Sequence, residues 1–179
     1  MGHNAVLSLR RTAPALGAPE SRFLLADSTV TRSDLEALLA DPSPAHQART
    51  AAKVAMAWRS GTLDGAARSA AEELFRAIAA KAVVAVRAAL AEALKDEPSL
   101  PHEVALRLAH DVDAVALPML EASVVLTDAD LLDLVAEVTP AGISALAGRA
   151  SVPAPLAEAI AGRGDEAAVA RLVANPGRK

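Results

Sequence analysis

Large apolar side chains recur every three or four residues from about Thr31 onward, which is the spacing of one face of an α-helix. Up to residue 97 this pattern predicts four helices, which together would form a small antiparallel bundle. The first begins at a capping-box pattern at Thr31 and ends at the proline-rich turn of residues 41–44. The others run from about Pro44 to Arg59, where Ser60 and Gly61 stop the helix, from a cap at Thr62 through Ile78, and from about Val83 to Lys95.

After Lys95 the pattern repeats every 26 residues, and four apolar columns share this step. The columns are Leu94, Leu120, Leu146 and Leu172; Leu100, Leu126 and Val152; Leu108, Leu134 and Ile160; and Leu117, Ile143 and Val169. Residues at the predicted helix starts keep the same step: Pro101, Thr127 and Pro153 for the first helix of each unit, and Asp113, Thr139 and Asp165, whose side chains can cap free N–H groups, for the second. The second half is therefore predicted to be a repeat of short helix pairs.

Such a short helix pair cannot bury its apolar face alone, so neighbouring units must stack. We predict an all-α fold in which residues 1–22 are a loose tail, 23–97 a helical bundle and 98–179 a HEAT-like α-solenoid that continues it as one unit. Pro118 falls about one turn into a second helix and predicts that this helix is short or 3₁₀-like. The last unit ends near Asn175 without a polar cap. We expect a longer parent protein, or self-association through the end of the solenoid.

Composition narrows the functional classes. Alanine supplies much of the 53% hydrophobic content and only three residues are aromatic, which favours helices over sheets. The net charge is −4 with scattered Lys and Arg, which argues against nucleic-acid binding, and the absence of cysteine excludes disulfides and thiolate metal sites. Three charged residues interrupt the most apolar stretch, residues 77–94. We therefore predict no membrane insertion and a cytoplasmic location.

Three segments resemble known helical repeats. Leu100–Asp111 resembles the first helix of leucine-rich-repeat-variant and HEAT-like units, Val86–Ala91 their valine–arginine second helix, and Ala170–Pro176 the link between them. From about Leu35 to Gly177 the chain is similar to the bacterial domain-of-unknown-function family 2336. The resemblance implies a HEAT-like helical fold and a longer parent chain, and it implies no activity or catalytic residue. The arginine of the second helix is missing at residues 113–116 and 140–143.

The most metal-like cluster is His110 and Asp111, with Asp113 beside them and His102 eight residues earlier. The two histidines would lie on one short helix and point away from a common centre, because eight residues span about 12 Å of helical rise. We interpret the aspartates as turn and cap residues, and we predict no metal, no cofactor and no catalytic residue.

Partner binding is the function that the pattern favours, because solenoids expose long surfaces and no catalytic set converges. Candidate contact residues are Trp58, Arg87, Arg107 and Arg171, although the spacing of Trp58 from Val54 favours a core position. We predict a non-enzymatic protein–protein interaction or scaffold module. The alternatives are a signalling bundle that accepts phosphate on His46, and a HEAT-like nucleic-acid-binding protein.

Overall fold

The computed structural model describes residues 43–178, and this part of the chain is all-helical. The predicted tail and the predicted helix from Thr31 lie outside the described residues. The helices are α1 (Pro44–Arg59), α2 (Gly65–Lys81), α3 (Val84–Leu94), α4 (His102–Ala109), α5 (Asp113–Ala122), α6 (Asp128–Glu137), α7 (Pro140–Ala147), α8 (Ala154–Arg163) and α9 (Glu166–Ala174).

The predicted helix boundaries agree closely with the structure for α1 and α3. Helix α1 ends where predicted, since Gly61 takes a left-handed φ of 68° that favours glycine. The predicted cap at Thr62 is wrong. Asp64 caps α2 instead, because its carboxylate accepts a hydrogen bond from the Ala67 N–H at 2.8 Å, while the Thr62 hydroxyl donates back to the Ala57 carbonyl.

The helices pack in two layers. The odd layer contains α1, α3, α5, α7 and α9, each beside the next, and the even layer contains α2, α4, α6 and α8. The odd helices run parallel to one another. At one end the hydroxyl of Thr139, just before α7, donates to Asp113 at the start of α5, and at the other Arg149, just after α7, reaches the carbonyls at the end of α5.

The described buried apolar side chains form one continuous core between these layers. Three of the four predicted columns are buried throughout, including Leu94, Leu120, Leu146 and Leu172. The fourth column is only partly buried, because Ile143 is in the core whereas Leu117 and Val169 are half-exposed.

The predicted helix caps at Asp113, Thr139 and Asp165 are confirmed at two of the three positions. Thr139 caps α7 and Asp165 caps α9 through hydrogen bonds from Gly142 and Ala168 N–H groups. For Asp113 the prediction is wrong, since it is the first residue of α5 and Val112 occupies the capping position.

Pro118 lies inside α5, which is α-helical over its 10 residues, so of the two predicted alternatives, a short or a 3₁₀-like helix, the 3₁₀-like one is wrong. Proline removes the N–H that would bond to the Ala114 carbonyl. Ala114 is exposed, so water can satisfy that carbonyl at little cost.

Candidate interaction surface

Trp58 occupies the core position that its spacing favours. Its side chain is 1% exposed, packs edge to face on Phe75 with ring centroids 5.4 Å apart, and lies under the Arg68 guanidinium at 3.6 Å. A buried indole offers no surface to a partner, so Trp58 is not part of the candidate surface.

Arg87 is held inside the protein. Its guanidinium donates to both carboxylate oxygens of Asp111, at 2.5 and 2.7 Å, and to the Ala82 carbonyl. Both side chains of the pair are mostly buried, and the hydrogen bonds from Arg87 hold the pKa of Asp111 below its usual value. Arg87 therefore links α3 to the turn between α4 and α5, and all three of its guanidinium nitrogens are engaged in these contacts.

The two remaining arginines differ from each other. Arg171 of α9 donates to Glu121 of α5 at 2.5 Å and lies against Gly148, where a Cβ atom would meet its guanidinium. Arg107 is exposed on the last turn of α4 and makes no hydrogen bond or ion pair with residues 43–178. Of the four candidates, Arg107 alone remains free to contact a partner.

The residues of the metal-like cluster do not converge on one point, because each contacts a different partner residue. His102 lies 2.8 Å from Asp130, His110 lies 3.1 Å from Glu137, and Asp111 is occupied by Arg87. Within the described part of the chain, no group of three or more histidine and acidic residues could hold a metal ion. The two histidines join α4 to α6 at opposite ends.

His46 is exposed in the first turn of α1. Its predicted role as a phosphate acceptor stays a prediction, as does nucleic-acid binding.

A row of exposed valines marks one edge of the protein, where each even helix turns into the next odd helix. Val83 is 51% exposed, Val84 41% and Val112 52%, and Val138 is half-buried in the corresponding turn before α7. We call Val83, Val84, Val112 and Val138 the valine edge.

Polar contacts between successive units bring these valines together. Arg87 binds the carbonyl of Ala82, which precedes Val83, and the carboxylate of Asp111, which precedes Val112. The Thr139 hydroxyl donates to Asp113 at 2.8 Å, and these two residues follow Val138 and Val112. The three turns that carry these valines are therefore neighbours along one edge of the protein.

The helix starts at this edge are unusual. Val83 and Val112 occupy the capping positions of α3 and α5, and neither offers a side-chain oxygen to the free N–H groups of the first turn. Threonine or aspartate fills this position in α2, α7 and α9. Two exposed apolar residues thus stand where a polar cap stabilises four other helix starts.

The valine edge was missed by sequence reasoning, although a signal for it exists. The 26-residue step places Val112 beside the helix start of its unit. Ser, Thr, Asp and Asn are the residues that normally cap a helix start, so a valine there indicates that the side chain has a role other than capping. Its exposure could not be read from the pattern, because valine in an apolar chain is expected in the core.

Comparison with known proteins relates the C-terminal part to one family. Residues 115–179 match the family described as "Uncharacterised protein conserved in bacteria", domain-of-unknown-function family 2336. The match covers less than half of the chain, so the similarity to residues before Val115 remains a prediction. It includes Val138 but not Val83, Val84 or Val112. The searches of curated proteins and of solved structures found no match to this chain.

The description of that family names no activity, and none is carried to this chain. No helix within residues 43–178 is long and apolar enough to cross a membrane. The surface geometry is therefore the main basis for a functional hypothesis.

Proposed function

We propose that this protein is a non-enzymatic protein-binding module, a HEAT-like α-solenoid of a bacterial cytoplasmic protein that contacts its partner through the valine edge. The observation that carries the proposal is the exposure of Val83, Val84 and Val112 in two adjoining turns, with the half-buried Val138 in the next turn. Single exposed apolar residues are common on protein surfaces, but an exposed row in spatially adjacent units is a feature of interaction sites.

The two-layer packing supports such a role. The inter-unit contacts of Arg87 and Thr139 fix the turns that carry the valines, so the edge is presented without an ordering cost when a partner binds. Repeat proteins commonly bind through surfaces formed by equivalent positions of successive units.

Site-specific photo-crosslinking in bacterial cells tests the proposal. A benzophenone amino acid would replace Val84 or Val112 in the full chain, and we expect a discrete adduct with one protein from either position. Val124 is the matched control, since it is 63% exposed and lies in the turn between α5 and α6, at the opposite edge.

Adducts should disappear when Val83→Asp is added to the Val112 crosslinking variant, provided that circular dichroism shows an intact fold. Equal labelling from Val124, or no adduct from either edge position, would contradict the proposal.

A further inference from the structure

Two cations beside the valine edge have no carboxylate partner among the described residues. Lys81 is the last residue of α2 and Arg107 lies in the last turn of α4, and both are exposed. Neither forms an ion pair or a side-chain hydrogen bond with any residue from 43 to 178, in contrast to Arg59, Arg76 and Arg87, which are each paired with an acidic residue.

Lys81 and Arg107 lie at the same end of two parallel helices. Arg76 of α2 donates to Glu103 of α4 at 2.6 Å. From there each helix continues for five or six residues to its C-terminal end. The two ends also meet, because Arg87 binds both the Ala82 carbonyl and the Asp111 carboxylate. This arrangement places both cations next to Val83 and Val112.

Four acidic residues at this edge already have a partner among the described residues. Asp111 is bound by Arg87, Glu103 by Arg76 and Glu137 by His110, and Asp113 accepts the Thr139 hydroxyl. The uncapped starts of α3 and α5 add partial positive charge, since their first N–H groups point out of the helix. Lys81 and Arg107 are therefore the two cations at this edge whose charge no described acidic residue cancels, although the whole chain carries a net charge of −4.

We infer that the valine edge binds an acidic protein segment with aliphatic side chains, whose carboxylates contact Lys81 and Arg107 while its apolar residues cover Val83, Val84 and Val112. This inference rests on the proposed function. Charge complementarity selects the partner, and burial of the valines supplies the apolar contact. Two cations and a row of valines fit such a segment better than a nucleic acid, which needs many phosphate contacts.

Both cations also have a local effect, since a positive charge in the last turn stabilises a helix. That effect needs no position beside exposed valines, and it predicts a change in stability rather than in binding. Measuring both quantities on the same variants separates the two roles.

Selection of a phage-displayed random peptide library on the full chain tests the inference. We expect enriched peptides to combine Asp or Glu with Leu, Ile or Val. Their affinity, measured by fluorescence polarisation, should fall about tenfold or more in Lys81→Glu/Arg107→Glu, equivalent to about 1.4 kcal/mol. Binding should also weaken as salt rises, because exposed charges are screened.

Lys53→Glu is the matched control, since Lys53 is exposed in the middle of α1 rather than in one of the turns that form this edge, and it should change affinity less than about twofold, or about 0.4 kcal/mol. The milder pair Lys81→Gln/Arg107→Gln should weaken binding in the same direction if charge reversal disturbs the fold.

The outcomes separate this inference from the proposed function. If the peptides fail to bind Val83→Ser/Val112→Ser but still bind both cation variants, the valine edge would remain the binding site. The inference that the partner is acidic would then be overturned. Neutral or basic peptides would overturn it too. An absence of enriched peptides, or peptides insensitive to all these variants, would count against both. Cation-dependent binding to phosphatidylserine-containing vesicles without peptide binding would replace the protein partner with a membrane surface.

Discussion

Asn175 closes the C-terminal end of α7 in the same way that Arg149, 26 residues earlier, closes that of α5. The Asn175 amide donates to the carbonyls of Ala147 and Arg149 at 2.7 and 2.8 Å, and the Arg149 guanidinium donates to those of Leu120 and Ser123, both at 2.7 Å. Each side chain therefore satisfies carbonyl groups that have no partner within their own helix. The column gives successive units a polar connection beside their apolar core.

Replacement of Arg149 should destabilise the protein through these carbonyl groups. Arg149 is largely buried, and this burial lowers its pKa, so the site bears a desolvated cation as well as two hydrogen bonds. We expect Arg149→Met to lower the free energy of unfolding by about 1–3 kcal/mol, because two buried acceptors lose their donor.

Urea unfolding followed by circular dichroism measures this change. Arg49→Met is the control, since Arg49 is exposed on α1 and makes no hydrogen bond or ion pair with the described residues, and it should have little effect. An Arg149→Met protein as stable as the original would show that the lost hydrogen bonds are offset by the lower desolvation cost.

The Arg87–Asp111 pair should make stability depend on pH in the acid range. The pKa of Asp111 is lowered from 3.8 in the folded state, chiefly by the hydrogen bonds from Arg87. The pair therefore contributes its full stabilisation above about pH 4 and loses it as the pH falls through the folded-state pKa. At pH 7 we expect Asp111→Asn to cost about 1–3 kcal/mol, as for hydrogen bonds to charged groups.

Urea unfolding at pH 7 and at successive values below pH 4 checks the sign. The stability difference between the original protein and Asp111→Asn should shrink as the pH falls. Asp133→Asn, at an exposed acid without a described partner, should show no such convergence. A difference that stays constant down to pH 2 would rule out the ion pair as its source.

Gly142 should resist substitution because of its neighbour rather than its backbone angles. A Cβ atom there would lie 2.7 Å from the Cβ of Val138 and 3.3 Å from Leu120. We expect Gly142→Ala to destabilise the protein, since overpacking costs about 1–3 kcal/mol and exceeds the helix propensity gain of up to about 1 kcal/mol.

The same substitution in a Val138→Gly background should be less costly, because that background removes the Cβ atom that a methyl group at position 142 would meet at 2.7 Å. Thermal unfolding of the four proteins of this double-mutant cycle measures the coupling. Gly162→Ala is the control, because nothing lies within 4 Å of the added methyl group, and it should be stabilising. Additive effects of the two substitutions would exclude the contact between Val138 and position 142.

Trp58 should tolerate phenylalanine better than its burial alone suggests. Its indole N–H is buried and has no hydrogen-bond partner within residues 43–178, and Trp58→Phe removes that donor together with part of the ring. Trp58→Ala should cost about 3–5 kcal/mol through the cavity that it leaves, and Trp58→Phe markedly less.

Circular dichroism must follow the unfolding here, because Trp58 is the single tryptophan of the chain. Met56→Ala, at an exposed position on the same helix, serves as the control and should have little effect. Equal costs for Trp58→Phe and Trp58→Ala would show that the ring edge, not the unpaired N–H, dominates at this site.

Sequence periodicity predicted the local structure well where a residue's role depends on its chain neighbours. The bounds of α1 and the caps at Thr139 and Asp165 follow from the first few residues of each helix. Other local predictions failed, since Asp64 rather than Thr62 caps α2. Asp113 binds the Thr139 hydroxyl rather than capping its own helix, and Pro118 is accommodated within α5.

The candidate surface was harder to predict because exposure depends on how the layers pack. Arg87, Arg107 and Arg171 look alike in the sequence, yet only Arg107 lacks a described partner. Long side chains reach residues 24 to 50 positions away, and those pairings depend on the placement of whole helices. The valine edge depends on the same placement.

By itself the sequence determined the helical class, the 26-residue step and most of the core, because helical periodicity requires only that apolar side chains share one face. The tertiary structure alone decided which polar groups meet and which valines stay exposed. Those outcomes arise from contacts between units, where side chains from separate helices compete for the same donors, acceptors and buried space. The contacts of Arg149 and Asn175 depend on both sequence and tertiary structure. Their 26-residue spacing is visible in the sequence, and their hydrogen bonds form only when the helices pack together.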